Sequence, residues 1–286
     1  MRKNITQLVI SSITGLLLFS SCNNQKETAV QESQFYTDSI YSQNLETYRK
    51  HKVYLPVNFS KEKQYPIVYS TDGDEKLSYE FIRKTLDSLI SNEVIEPIIF
   101  IGSYANTNEV PNSSIQTEDG QVFTMHYRLF EYVEPDPQYP AFPGTENLFS
   151  NHMKYFKDEL IPSVEAKFNQ TPGPKNRSFY GYSNGAGFGA NLLEKHPELI
   201  KTYICFSTLG SAVNRNDWAT NRKYPMLYLQ YGSEEDGGFI SEAEGIRKIY
   251  SESNSPIQFN IYKGGHEVER WNESLQEVLV DRFKLK

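Results

Sequence analysis

Segments with strand-like and helix-like patterns alternate along most of the chain, and this alternation constrains the fold more than any other feature of the sequence. Strands are predicted for the segments 65–70, 98–102, 177–182, 203–206, 226–231 and 257–262. Apolar residues at helical spacing predict helices at 77–92, 147–168, 186–195, 242–253 and 272–283. This order predicts an α/β fold, in which helices cover both faces of a mostly parallel central sheet. Any chemistry is then expected at the carboxyl ends of the strands.

The remaining segments fit one domain of the larger α/β kind. Residues 47–56 alternate in polarity and predict one more strand, whereas residues 106–144 are expected to be irregular and to form much of a pocket wall. A chain of 286 residues can bury one substantial core. We expect that domain to occupy residues 39–286.

The N-terminal residues have the features of an export signal. Two basic residues precede an apolar stretch from Leu8 to Phe19, which is too short to span a bilayer comfortably. The run Leu18-Phe19-Ser20-Ser21-Cys22 resembles a bacterial lipoprotein box, which implies a signal peptide over residues 1–21 and a lipid on Cys22. An ordinary secretory signal with an incidental cysteine is the alternative. The lipoprotein reading predicts an exported protein anchored to the bacterial cell envelope, with residues 22–38 as a flexible tether.

Charge and cysteine content exclude several classes of function. The chain has 36 acidic and 29 basic residues, a formal net charge of −7, and no dense basic run, so we expect no nucleic-acid partner. Its two cysteines are Cys22 and Cys205. If Cys22 carries a lipid, no disulfide framework is possible, and Cys205 is expected to be a buried strand residue. The sequence has no Cys/His spacing typical of zinc, and no metal is expected.

The run Gly181-Tyr182-Ser183-Asn184-Gly185 lies between a predicted strand and a predicted helix. A nucleophilic serine in a Gly-x-Ser-x-Gly run lies on a sharp, strained turn, where the flanking positions approach neighbouring backbone too closely for a side chain. A glycine-rich turn with a purely structural serine would have the same pattern. The strand before the run and the helix after it favour Ser183 as a nucleophile.

A nucleophilic serine requires a base, and the histidines are His51, His126, His152, His196 and His266. Only the last two follow Ser183, as the chain order serine, acid, histidine of α/β-hydrolases demands. His196 ends a predicted helix, where a cationic side chain suits the helix C-terminus. His266 follows the carboxyl end of the strand 257–262 and is therefore the expected base.

The acid is expected in the loop after the strand 226–231, which contains Glu234, Glu235 and Asp236. Its carboxylate has to accept the ring N–H of His266 and stabilise the imidazolium that forms during the reaction. Position alone leaves these three residues open, with Asp217 in an earlier loop as a more distant fourth.

An oxyanion site needs two backbone N–H donors. One is expected from Asn184, directly after the nucleophile. The other is expected from the loop Asp72-Gly73-Asp74, which follows the strand 65–70.

Several motifs, in sequence order, resemble the esterase D group of α/β-hydrolases, which includes enterochelin esterases, S-formylglutathione hydrolases, feruloyl and acetylxylan esterases, and mycolyltransferases. The motifs are Val53-Tyr54-Leu55-Pro56, Tyr65-Pro66-Ile67-Val68-Tyr69, Arg128-x-x-Glu131-Tyr132, Phe156-Lys157-Asp158-Glu159-Leu160-Ile161-Pro162, the Ser183 run, and Gly264-Gly265-His266 with Trp271. The resemblance covers residues 47–286 and implies an α/β-hydrolase fold.

The same resemblance assigns roles to individual residues. It implies Ser183 as nucleophile, His266 as base and Glu235 as acid, with Asp236 as the alternative acid. It also implies that Asp74 donates the second oxyanion N–H. Many relatives carry Asp in place of Glu235 and an apolar residue in place of Asp74.

Together these features predict a serine esterase that hydrolyses a carboxylic ester through an acyl-enzyme on Ser183, without a metal or organic cofactor. A small-molecule or polysaccharide-linked ester is the expected substrate, for example an acylated plant polysaccharide or a siderophore ester. One alternative is an acyltransferase on the same scaffold, in which a sugar hydroxyl replaces water. The other is a catalytically silent, surface-binding lipoprotein, which the unusual Asp74 and the three competing carboxylates suggest.

Overall fold

A β-sheet runs through the centre of the fold. The computed structural model describes residues 31–116, 120–138, 142–171, 173–215 and 218–285. Within them the strands are β1 Gln34–Ser42, β2 Thr47–Leu55, β3 Ile67–Ser70, β4 Ile99–Ser103, β5 Glu109–Gln116, β6 Val122–His126, β7 Arg177–Tyr182, β8 Thr202–Phe206, β9 Met226–Gly232 and β10 Ile257–Tyr262. Eight of these described strands pair in the order β1-β2-β4-β3-β7-β8-β9-β10. Strand β2 is antiparallel to β1 and β4, and the remaining six strands of this sheet are parallel to one another, which confirms the mostly parallel sheet.

Helices connect the parallel strands. Among the described residues they are α1 Lys76–Ser91, α2 Tyr127–Tyr132, α3 Leu148–Lys154, α4 Ile161–Lys167, α5 Asn184–Lys195, α6 Gly237–Glu252 and α7 Val268–Phe283. A π-helical segment, Tyr155–Leu160, joins α3 to α4, so the helix predicted at 147–168 is continuous. Short 3₁₀ turns lie at Pro174–Asn176 and Val213–Arg215.

The two faces of the sheet bury separate apolar cores. Every residue of β3, β4 and β8 is buried, as expected for central parallel strands. On one face the strands pack with α3, α4, α5 and α6, through side chains such as Phe156, Phe188 and Ile246. On the other face they pack with α1 and α7, through side chains such as Leu86 and Leu275. Helices therefore cover both faces, as predicted.

Two segments of the fold differ from the sequence-based expectation. Strand β1 begins at Gln34 and pairs with β2 along its whole length, so residues 34–38, which were assigned to the tether, belong to the folded domain. As an edge strand, β1 is half exposed, and its polar residues resemble a tether in composition. The expectation that residues 106–144 are irregular was wrong, because β5 and β6 form an antiparallel hairpin there and α2 follows it directly.

A buried polar cluster fixes the position of α2. The Arg49 guanidinium of β2 donates to both carboxylate oxygens of Glu131 in α2, at 2.9 and 2.6 Å. The Nδ1 atom of His152 in α3 lies 3.5 Å from the same carboxylate. Burial lowers the pKa of His152 well below its usual value, so the imidazole is neutral and the charge of Glu131 is balanced by Arg49. A bidentate buried pair of this kind constrains the orientation of both side chains.

Cys205 lies in β8 and is fully buried, as predicted, and burial raises the pKa of its thiol. No helix in the described part of the chain combines the length and apolar character needed to cross a membrane. Cys22 and Asp217 both lie outside the described residues. The described elements fall in one compact unit, Gln31–Lys286.

Candidate active site

Ser183 occupies a sharp turn between β7 and α5. Strand β7 ends at Tyr182 and α5 begins at Asn184, so Ser183 is the single residue between them. Its backbone angles are φ 55° and ψ −133°, a region that L-residues rarely adopt. The Ser183 N–H donates to the carbonyl of Phe206 in β8 (3.0 Å), and its carbonyl accepts the N–H of Leu209 (3.3 Å). The strained turn that the sequence predicted for Ser183 is therefore present.

Two glycines allow the chain to make this turn. A Cβ atom on Gly181 would lie 2.6 Å from the carbonyl oxygen of Gly185. A Cβ atom on Gly185 would lie 2.2 Å from Oγ1 of Thr71 and 2.8 Å from Oδ2 of Asp72. Neither position has room for a Cβ atom, so the close approach of strand, helix and the loop after β3 requires glycine at both.

His266 and Glu235 are brought together by the loops that follow β10 and β9. Atom Nδ1 of His266 lies 3.1 Å from Oε1 of Glu235. The Glu235 side chain is fully buried (0% exposed), whereas that of His266 is 37% exposed. The Tyr262 hydroxyl, which donates to the carbonyl of Gly265 at 2.7 Å, lies 3.4 Å from Oε1 of Glu235. A buried carboxylate thus faces a partly exposed imidazole.

The neighbouring carboxylates of the same loop take other positions. Glu234 and Asp236 are exposed, and Asp236 is the N-cap residue of α6. The Glu235 N–H donates to the carbonyl of Gly232 (3.1 Å), and in this turn the Glu235 side chain points into the protein. Of the three candidates, Glu235 is therefore the one that contacts His266.

Aromatic rings surround the imidazole of His266. The ring of Phe239, in the first turn of α6, has its centroid 4.4 Å away. Trp271 of α7 meets the imidazole edge-on at 4.6 Å and stacks on Tyr182, the residue before Ser183, at 4.7 Å. The Trp271 indole N–H donates to Oγ of Ser207 at 2.8 Å, which fixes the indole plane. These contacts link the imidazole to the strand that carries the serine.

The loop after β3 approaches the same turn. Asp72 has a positive φ of 56°, and a Cβ atom on Gly73 would lie 2.0 Å from the carbonyl oxygen of Gly102, so the loop packs tightly on β4. The Asp74 carboxylate accepts the N–H of Ala105 at 2.9 Å. Partial burial raises the pKa of Asp74, and the neighbouring carboxylate of Asp72 acts in the same direction. The unusual side chain at position 74 therefore has a structural partner.

Arg128 of α2 connects this loop to the turn at Ser183. Its Nε and Nη2 atoms donate to the two carboxylate oxygens of Asp72, at 2.6 and 3.0 Å. Its Nη1 atom donates to the Asn184 side-chain oxygen at 3.4 Å. The guanidinium also lies 4.9 Å from the ring centroid of Tyr132, whose hydroxyl accepts the N–H of Asp72. One side chain thus contacts both segments that were predicted to supply the oxyanion donors.

Roles for Arg128, Phe239, Ser207 and Tyr262 were not predicted from the sequence. Arg128 carried a signal, because it belongs to the motif Arg128-x-x-Glu131-Tyr132, and in the structure both charged residues of this motif form ion pairs. Phe239 and Ser207 carried none, since each acts through a contact between distant segments. In the described part of the chain, no group of three or more His, Cys, Asp or Glu side chains is suited to a metal ion.

The match to a family of known proteins covers most of this architecture. Residues 42–281 match the model of the family described as putative esterase. The chain belongs to the putative esterase family. As a member of this family, the protein is a hydrolase of carboxylic esters, and the resemblance drawn from the motifs is confirmed.

Individual relatives of this putative esterase are distant in sequence. The uncharacterized protein YjcH of Bacillus subtilis is 22% identical over 89% of this chain and 97% of its own length. A ferulic acid esterase from Anaeromyces mucronatus superposes with a TM-score of 0.65 at 16% identity, over 89% of this chain and 92% of its own. The enterochelin esterase of Shigella flexneri superposes with a TM-score of 0.63 at 14% identity, over 87% of this chain and 57% of its own. These structures share the α/β-hydrolase fold with the putative esterase.

We predict that Glu235→Gln lowers kcat for ester hydrolysis by about 10³–10⁴-fold, because an amide cannot stabilise the imidazolium and can favour the wrong tautomer of His266. The neighbouring variants Glu234→Gln and Asp236→Asn provide matched controls, since both side chains are exposed. Steady-state kinetics on p-nitrophenyl acetate, with circular dichroism to verify folding, measures the effect. A loss of equal size in Asp236→Asn would show that the wrong carboxylate has been assigned.

Proposed function

We propose that the protein is a serine esterase that forms an acyl-enzyme on Ser183, with His266 as general base and Glu235 as the acid. The observation that carries the proposal is the Glu235–His266 contact of 3.1 Å, formed by loops at the carboxyl ends of β9 and β10. Ser183 follows the carboxyl end of β7 in the same parallel sheet. The carboxyl ends of parallel strands meet at one edge, which is the edge where such sheets carry chemistry.

In the first half of the reaction, the Ser183 hydroxyl attacks the carbonyl carbon of the ester while Nε2 of His266 accepts the hydroxyl proton. The tetrahedral intermediate then collapses, the bond to the alkoxy oxygen breaks, and His266 returns the proton to the leaving alcohol. An ester bond between Ser183 and the acyl group remains. In the second half, His266 takes a proton from water, the resulting hydroxide equivalent attacks the acyl carbon, and Ser183 leaves with that proton.

Glu235 contributes by orienting and stabilising the base. Its carboxylate accepts the Nδ1–H of His266, which leaves Nε2 as the basic nitrogen. When Nε2 is protonated, the buried carboxylate stabilises the positive charge more strongly than an exposed one would, because water screens it less. The rings of Phe239 and Trp271 restrict rotation of the imidazole from its two sides.

The negative oxygen of the tetrahedral intermediate requires fixed donors. Asn184 is the first residue of α5, and the first N–H groups of a helix have no partner within the helix. We assign its N–H and that of Asp74 to the oxyanion. Donors that are fixed before the reaction need no reorganisation during it, and the bidentate Arg128–Asp72 pair, with its contact to Asn184, restricts both segments.

We propose a small-molecule or polysaccharide-linked ester as the substrate. Two neighbours in fold are a ferulic acid esterase and an enterochelin esterase, which makes feruloyl esters and siderophore esters the first classes to examine. Phe239 is half-buried next to His266 and offers an aromatic surface beside the base. A panel of feruloyl esters, acetylated xylan and ferric siderophores compares these classes.

The assignment of Ser183 is tested with the protein that begins at residue 23, which retains every described element. We predict that Ser183→Ala lowers kcat on p-nitrophenyl acetate by at least about 10⁴-fold, because the nucleophile is removed while the remaining site still binds the ester. Ser163→Ala, an exposed serine of α4, is the matched control and should retain the wild-type rate. Equal rates for Ser183→Ala and the wild type would contradict the proposal and would favour a silent binding protein.

We also propose that the protein is exported and held at the bacterial cell envelope by a lipid on Cys22. The proposal is supported by the charged start, the apolar stretch and the lipoprotein-like run at 18–22. We predict that the wild-type protein sediments with the membrane fraction and that Cys22→Ser releases it to the soluble fraction. Mass spectrometry of the N-terminal peptide measures the acyl chains directly. An unmodified Cys22 in a membrane-free wild-type protein would contradict the lipid anchor.

A further inference from the structure

A polar groove lies between α7 and the strands at the end of the sheet, apart from the residues assigned to ester hydrolysis. It has a cavity volume of about 450 Å³, which falls in the range of small-molecule binding sites. The residues that define this α7 groove are Tyr228, Gln230, Gln258, Asn260, Glu277 and Asp281. They come from β9, β10 and α7, so the groove is built on regular elements rather than on loops.

Gln230 of β9 is the unusual residue of the groove. The residue is only 3% exposed, and its Nε2 atom has no hydrogen-bond partner among the described residues. Alternation along β9 places Gln230 on the same face as Tyr228, the face that packs against α7. A buried amide donor without a partner is unfavourable, and most such groups in proteins are paired. A ligand in the groove would provide the missing acceptor.

Other polar residues of the groove are already ordered by hydrogen bonds. Oδ2 of Asp281 in α7 accepts the Tyr228 hydroxyl at 2.6 Å and Nε2 of Gln258 at 3.0 Å. These contacts fix the carboxylate of Asp281 and the carboxamide of Gln258. A site whose polar groups are fixed in advance loses less entropy when it binds.

The chemistry of the lining selects one class of ligand. The unpaired group of Gln230 is a donor, and ammonium groups and metal ions offer no acceptor to it. An anion offers acceptors but would face the carboxylates of Glu277 and Asp281. A neutral molecule rich in hydroxyl groups suits both kinds of partner, because each hydroxyl donates to carboxylates and accepts from amides. We propose that the α7 groove binds a neutral sugar unit of a glycan.

Two chains of contacts connect the groove to residues of the proposed active site. The Gln230 carbonyl accepts the N–H of Ser207 at 2.8 Å, and Ser207 Oγ accepts the indole N–H of Trp271, which contacts His266. Ser274, which also lines the groove, follows Trp271 by one turn of α7. The binding itself does not depend on the chemistry assigned to Ser183.

The proposal is tested by nuclear magnetic resonance titration of the protein that begins at residue 23, in the Ser183→Ala form so that no turnover occurs. The probes are xylotetraose, cellotetraose and mannotetraose, with spermidine as a cationic competitor. We expect at least one oligosaccharide to bind and to shift the amide signals of β9 and α7. Gln230→Leu is expected to weaken that binding by at least about tenfold, since it removes the unpaired donor. Gln276→Leu, on the exposed side of α7, is the matched control and should bind like the parent.

Three further measurements distinguish a loss of sugar binding from a loss of folding or activity. Gln230→Leu replaces an unpaired buried amide, so its melting temperature is expected to equal or exceed that of the parent. Asn260→Ala, at an exposed position of β10, is a second variant that should also weaken binding. Rates on p-nitrophenyl acetate in the Ser183-containing protein should be unchanged by Gln230→Leu. Any of three results would overturn the proposal: none of the three sugars binds, the signal shifts are confined to other regions, or spermidine binds in preference to the sugars.

Discussion

The backbone conformation of Ser183 is the constraint on which the rest of the site depends. Such a conformation costs an L-residue on the order of 1–3 kcal/mol and persists only where the surroundings enforce it. Here the enforcing contacts are the hydrogen bonds of Ser183 to Phe206 and Leu209, together with the close approach of Gly181 and Gly185. Because the chain turns within one residue, α5 begins immediately after the serine, and its N-terminal amide lies beside the proposed nucleophile.

The other parts of the site are positioned relative to this turn by pairs of side chains from distant segments. Arg128 contacts both Asp72 and Asn184, and Glu131, three residues later, holds α2 through Arg49. On the opposite side, Trp271 stacks on Tyr182 and meets His266 edge-on. Two chains of contacts, one ionic and one aromatic, therefore lead to the residues that flank Ser183. The ionic chain of contacts positions the proposed oxyanion donors, and the aromatic chain positions the proposed base.

Buried elements such as β3, β4, β8 and the helices between them need apolar residues at regular spacing. These elements could therefore be predicted from the sequence. Strand β1 and the β5–β6 hairpin carry mostly polar residues because they are partly exposed, and the pattern did not reveal them. In the site, chain order and the position after a strand selected His266, but position in the loop did not distinguish Glu234, Glu235 and Asp236, whose side chains point in different directions. Those directions depend on tertiary burial. The Arg128–Asp72 pair joins residues 56 positions apart, which no local pattern indicates.

The central claim is that Ser183 is the nucleophile, and covalent labelling tests it most directly. A fluorophosphonate reacts with a serine that an adjacent base activates and leaves a stable phosphonyl group on that oxygen. Peptide mass spectrometry after labelling should find one phosphonyl group per chain, on the peptide that contains Ser183, and none in Ser183→Ala. A chain that hydrolyses esters but is labelled at another residue, or remains unlabelled, would contradict the account.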